Sequence, residues 1–282
     1  LLVILWLVER MAVHEKSSDL IRCHGLKDDI WCQKVPQYLG HDSILQTLTE
    51  PTPSLESSSM TDGQHEQAIE SIRESIRKGQ MYQVNVGRWW NGKILEHPRR
   101  IFQRLNEANP APFSGYLEAP DLGFSLVCSS PESLLKSNGE SIFTSPIKGT
   151  RPRGSHPEQE DELRNEMIRD EKERSEHRML VDLMRNDISA VSKVGSVQVE
   201  RFDVEAYAQV QHLVSQISGV LNEDSTGLDA LQAVFPGGSI TGCPRTVVCA
   251  AIDELEQRPR SFWTGSIGWV DITSGACSWN IL

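Results

Sequence analysis

Strand-like runs follow one another along this chain with few helices between them, and that order limits the fold more than any other feature. Runs at 114–118, 123–128 and 140–144 succeed each other directly, and Tyr82 to Trp89 alternates so that Val84 and Val86 share one face. Val197 with Val199, Leu213 to Leu221, Phe262 to Ile272 and Ala276 to Leu282 supply the rest. A doubly wound parallel sheet needs a helical crossover after each strand, and this chain has no such alternation. The expected class is therefore α+β. Helices are expected from Thr61, whose spacing to Gln64 is that of a capping box, to Gly79, and from Arg99 to Asn109. Others are expected at 158–187, the longest, at 227–235, and after Pro244, which suits a first helical turn.

Residues 1–50 read as strands and a short helix, and Pro51 to Ser59 is rich in Pro and Ser. A boundary near 51–60 divides an N-terminal segment, 1–55, from a main domain, 56–282. The opening octad, Leu1 to Val8, is too short to span a bilayer and lacks the basic flank and cleavage site of a signal peptide, so it reads as a buried strand. With no initiating Met, the sequence is expected to start inside a longer polypeptide.

The formal charge of −11 argues against nucleic acid or an anionic membrane as partner. Six cysteines without CxxC or Cys/His spacing suit reduced thiols in a cytoplasmic protein better than a disulfide frame or a zinc site.

Five stretches carry chemistry. In Ser145-Pro146-Ile147-Lys148-Gly149-Thr150 a proline stops strand pairing and a glycine admits tight backbone geometry. A lysine held there can lose hydration and act as a nucleophile, or be an ordinary solvated charge. Glu132 follows Ser130-Pro131 at a strand end, sixteen residues before Lys148, where burial could keep its carboxyl protonated for general-acid work, or where it is a plain surface residue. Glu173 and Glu176 are three apart, so a helix puts both on one face, as half of a Mg²⁺ site or as a solvated charged face. Gly237 to Gly242 ahead of a helix can offer N–H groups and hydroxyls to a phosphate or carboxylate, or be a plain turn. His212 opens a strand, where it could shuttle a proton or be structural.

The joint order of the motifs is more specific than any one of them. Tyr82-Gln83-Val84-Asn85, Ser130-Pro131-Glu132, Pro146 to Thr150, Glu173-x-x-Glu176-His177, Asp182 to Asp187, His212 to Ser215, Phe235 to Gly242 and Gly265 to Gly268 together resemble the chorismate-utilising family over residues 62–282. The resemblance implies two large packed β-sheets flanked by helices, with the active site between them. It implies that Lys148 attacks C2 of chorismate as the C4 hydroxyl leaves, that Glu132 is the general acid, and that His212 is an active-site residue. It also implies Mg²⁺ on Glu173 and Glu176, and a substrate carboxylate on Gly238, Ser239 and Thr241.

Lysine at position 148 is similar to the pattern of family members that aminate chorismate at C4, the aminodeoxychorismate synthases of p-aminobenzoate and folate biosynthesis, whereas anthranilate synthases carry Ala. The ammonia then comes from a glutamine amidotransferase subunit or domain. Val84, standing where water-activating members carry lysine, disfavours water as nucleophile. Arg245 replaces the family's usual lysine and keeps its charge. Family members continue past the position of Leu282 through further Mg²⁺ ligands, so the chain is expected to be a C-terminally truncated piece with little or no turnover. Anthranilate synthesis and a non-catalytic amidotransferase-binding subunit are the rival expectations.

Overall fold

The computed structural model describes residues 3–15, 17–38 and 54–282 of the chain. It divides into two compact units, Leu1–Glu50 and Pro51–Leu282. In the first, β1 (Met11–Glu15) and β2 (Leu20–His24) form an antiparallel hairpin, and α1 (Ile30–Tyr38) follows. Residues 3–8 of the opening octad do not form a buried strand. Among its described residues none has regular structure, and Leu5 and Leu7 are 79% and 78% exposed. A strand needs a pairing partner to bury its backbone, and no described strand pairs with this segment.

The second unit begins with β3 (Ser54–Ser58), α2 (Asp62–Arg77), β4 (Gln83–Val84), β5 (Trp90–Lys93) and α3 (Pro98–Ala108). The stretch read as a linker thus contains a strand, and β3 pairs with β5. Thr61 caps α2 through the capping box with Gln64. The run from Tyr82 is strand only at Gln83–Val84, which pairs with a later segment.

β6 (Gly115–Ala119) and β7 (Phe124–Cys128) form a hairpin. Then come β8 (Ser133–Asn138), β9 (Ser141–Thr144), β10 (Ile147–Pro152), α4 (Pro157–Arg169), α5 (Glu171–Ser189), β11 (Gln198–Ala206) and β12 (Val210–Val220). The chain closes with α6 (Gly227–Val234), α7 (Gly238–Thr241), β13 (Gly242–Cys243), α8 (Arg245–Glu256), β14 (Ser266–Val270) and β15 (Ala276–Ile281).

Seven strands make one antiparallel sheet in the order β10-β12-β9-β8-β15-β14, with β11 also on β12. The class is α+β. The long β12 organises the sheet: its first half pairs with β10, its second with β9, and its other edge with β11. Pro146 separates β9 from β10, as expected of a residue that cannot donate to a ladder.

The stretch 158–187 is two helices rather than one. Asp170 leaves helical geometry, and its carboxylate accepts from the N–H groups of Lys172 and Glu173, starting α5 afresh. Along α5 the buried residues His177, Leu180, Val181, Met184 and Ile188 recur at helical spacing. Leu180, Val181, Met184 and Ile188 pack with Leu134, Leu135, Ile142, Ile217, Ala230 and Val234 into the main core. α5 is thereby fixed against the sheet, with its polar N-terminal turn beside β10. Pro244 stands at the N-cap position of α8 rather than inside its first turn.

Gly242, at φ +127°, joins α7 to the β13–β4 ladder, and a side chain there would collide with the Gln83 carbonyl. Gly242→Ala is expected to cost roughly 2–4 kcal/mol from backbone strain plus collision, read as a lower denaturant midpoint at unchanged m-value.

Candidate active site

Lys148 lies within a strand and not at a strand end. β10 and β12 pair at Ile147 with Val214 and at Thr150 with His212, so β10 carries one extra residue at Lys148-Gly149. Gly149 has φ +89°, the left-handed geometry that such a bulge demands. In a regular strand, residues 148 and 151 would face opposite ways. The extra residue shifts the parity, and both meet α5: Lys148 Nζ lies 3.6 Å from Glu176 Oε2, and Arg151 Nη1 donates to Glu173 Oε1 at 3.2 Å.

Glu173 and Glu176 are partly buried, one turn apart on α5. Arg151, a residue that sequence reasoning missed, also binds Glu166 at 3.1 Å and Asp170 at 3.2 Å. Its signal was the strand glycine at 149, which marks a bulge and puts Arg151 on the face of Lys148. Glu173 and Glu176 are hard oxygen donors on one helix face, the type that would suit Mg²⁺, and each is ion-paired here, Glu173 to Arg151 and Glu176 to Lys148. Among the described residues no group of three or more His, Cys, Asp or Glu forms a metal cluster.

His177, next to Glu176, is wholly buried, and its Nε2 lies 2.7 Å from Ser215 Oγ on β12. Burial pulls its imidazole down to about 4 from the ordinary 6.5, so the fold holds it neutral. The unfolded chain therefore takes up the proton first as pH falls. This contribution to stability is fully present above pH 6.5 and is lost as pH falls toward 4, by about 3 kcal/mol in all. A His177→Gln variant is expected to show a flatter decline over that window in urea titrations than the parent.

Glu132 sits immediately before β8, where the Ser130 hydroxyl accepts from its N–H. Its carboxyl is pushed up to about 7. Loss of hydration is the largest cause, opposed by hydrogen bonds from Ser239 and the Ile147 N–H and by the charge of Lys148. The acid and the amine thus meet at one place on the sheet. His212, across the ladder, lies 3.0 Å from Thr150 Oγ1 and 3.4 Å from the Gly149 carbonyl through Nδ1. Burial lowers its basicity. Tyr207 meets its ring edge-on at 5.2 Å and donates to Glu205 at 2.9 Å.

The glycine-rich segment forms the short α7. Gly238 is buried where a side chain would collide with Leu183 of α5. The Thr241 hydroxyl is buried and donates to the Gly237 carbonyl at 2.8 Å. Ser239 is the member of this segment that reaches Glu132. Arg245 binds the buried Asp187 of α5 and the Ala233 carbonyl, securing the far end.

Lys148, Glu132 and the Glu173–Glu176 pair come together in an α+β fold of the chorismate-binding family. The chain belongs to that family: the family model described as chorismate binding enzyme matches residues 3–282. Aminodeoxychorismate synthase component 1 of Bacillus subtilis (strain 168) is 38% identical over 266 residues, covering 94% of this chain and 55% of that protein. An anthranilate synthase component 1 of Haloarcula marismortui is 46% identical over 201 residues, covering 71% of this chain and 41% of that protein. The crystal structure of anthranilate synthase component I from Streptococcus pneumoniae TIGR4 superposes with a TM-score of 0.84 at 27% identity, covering 97% of this chain and 62% of that one. The chain spans about half the length of the curated relatives it matches.

Proposed function

We propose that the polypeptide aminates chorismate at C4 to give 4-amino-4-deoxychorismate, through a lysine-bound intermediate, with ammonia supplied by a glutamine amidotransferase subunit or domain. The observation that carries this reading is Lys148 on its bulge beside a glutamate whose carboxyl is pushed up to about 7. Its likeness to the aminodeoxychorismate synthase of Bacillus subtilis supports the same substrate.

Lys148 Nζ bonds to C2 of chorismate, the ring double bond shifts, and the C4–O bond breaks. Hydroxide leaves poorly, so Glu132 gives its proton to the departing oxygen, which goes as water. Ammonia then bonds to C4, the double bond returns, and the C2–N bond to Lys148 breaks. The proton shed by the incoming nitrogen restores Glu132. Glu173 and Glu176 would hold Mg²⁺, which supplies charge to neutralise the ring carboxylate. His212 and Thr150 brace the bulge that presents Lys148.

Anthranilate synthesis is the second reading, favoured by the 46% identity to the Haloarcula protein. Chorismate and ammonium supplied to the full-length polypeptide, with the products separated by chromatography and identified by mass, distinguish the two. The expected main product is 4-amino-4-deoxychorismate, and anthranilate in its place contradicts the assignment. The acidic balance of the chain suits a small-molecule enzyme better than a partner of nucleic acid. No helix of the described residues is long and apolar enough to cross a membrane.

A further inference from the structure

Against residues 239–241 lies a polar network that the reaction above does not use. Glu256, at the end of α8, has a side chain only 1% exposed. It is satisfied by Arg260 through Nη2 at 2.6 Å and Nε at 2.9 Å, and by the Gly87 N–H at 2.8 Å. Arg260 uses its remaining donors on two carbonyls far apart in sequence, Asn85 at 2.7 Å and Ile240 at 2.9 Å. Asn85 in turn donates its side-chain amide to the Ser239 carbonyl and its N–H to the Thr241 carbonyl at 2.8 Å. Three hydrogen bonds from two side chains and one backbone N–H therefore grip consecutive residues 239, 240 and 241. The middle of α7 has no side-chain cap of its own to hold it. Ser239, the first residue gripped, is the one whose hydroxyl meets Glu132.

We propose that Asn85 and Arg260 are positioning residues that, anchored on the buried Glu256 carboxylate, hold the Ser239 hydroxyl against Glu132 and so fix how that acid is presented to the leaving oxygen. The inference rests on the reading of Glu132 as general acid. A buried carboxylate with a forked arginine and a backbone donor is a costly arrangement unless every group is satisfied, and here Arg260 Nη1 and the two Asn85 N–H donors reach the segment 239–241, while Arg260 also holds the Asn85 carbonyl and Thr264 Oγ1. The groups that face Glu132 are Ser239 from α7, the Ile147 N–H and Lys148 from β10, and at longer range Tyr207 from the β11–β12 turn. Only Ser239 depends on this network. Its hydrogen bond favours the ionised carboxyl, so losing it raises the pH at which Glu132 titrates.

The test follows the carbonyl stretch of protonated Glu132 with pH by infrared difference spectroscopy on the full-length protein, assigned by its disappearance in Glu132→Gln. The expected midpoint is near 7 in the parent. It is expected to rise by about one pH unit in Ser239→Ala and equally in Asn85→Ala, the size of one hydrogen bond to a carboxylate, with no further rise in the double variant. Arg260→Lys keeps the charge on Glu256 but loses the fork, and is expected to give the same rise, so a poorly folding Asn85→Ala leaves a second route. Asn85→Ala and Arg260→Lys midpoints equal to the parent, while Ser239→Ala moves, overturn the proposal. If the midpoints move together but Glu132→Gln still aminates chorismate at the parent rate, the acid assignment falls and the positioning stands.

Discussion

Replacing Lys148 by alanine is expected to lower chorismate amination by roughly 10³-fold or more in kcat, with little change in KM, because the residue acts only after substrate is bound. The effect is chemical and not structural. Lys148 and Glu176 are partly exposed and 3.6 Å apart, a pair worth at most about 1 kcal/mol, so the variant is expected to stay folded. Lys148→Arg sharpens the result. A guanidinium keeps the attraction to Glu176 but cannot add to carbon, so it is expected to be as inactive as alanine, whereas a lysine that only binds a substrate carboxylate would be substantially replaced by arginine. Steady-state rates with ammonium as nitrogen source measure both without involving a partner subunit.

Glu132→Gln is expected to lower kcat about 10²–10⁴-fold, the range of a lost general acid. Glutamine keeps the shape and can still meet Ser239, but it offers no transferable proton. The pH dependence gives the complementary evidence. The carboxyl is pushed up to about 7 by burial, so the protonated acid predominates below that pH and is depleted above it. Rates under kcat/KM conditions are therefore expected to fall as pH rises through about 7, and that descending limb is expected to be absent from the residual activity of the variant. A limb that survives in Glu132→Gln assigns the proton to another group.

Much of this site is legible in the sequence because it is carried by local patterns. The Glu173–Glu176 spacing needs only a helix, and the Thr61–Gln64 box needs only a helix start. The features that escaped depend on pairing between distant segments. Gly149 marks a bulge locally, but that β10 pairs with β12 one residue out of step depends on a strand some sixty residues away, and that offset brings Lys148 and Arg151 to the same face. Asp170 reads as one more charge in a charged helix until its carboxylate is seen to cap the next one. The network from Glu256 through Arg260 to Asn85 joins residues about 170 positions apart, and no periodicity reports it. The opening octad shows the opposite error: apolar composition suggested burial, but a strand forms only where another strand is in register to receive it.

The most direct test of the lysine nucleophile is intact and peptide mass spectrometry of the full-length polypeptide incubated with chorismate and without ammonia. The structure predicts an adduct with the mass of chorismate less water, mapped to the peptide carrying Lys148, which disappears when ammonium is added and never forms in Lys148→Ala. Full amination activity with no adduct on Lys148, or with the adduct on another residue, would contradict it.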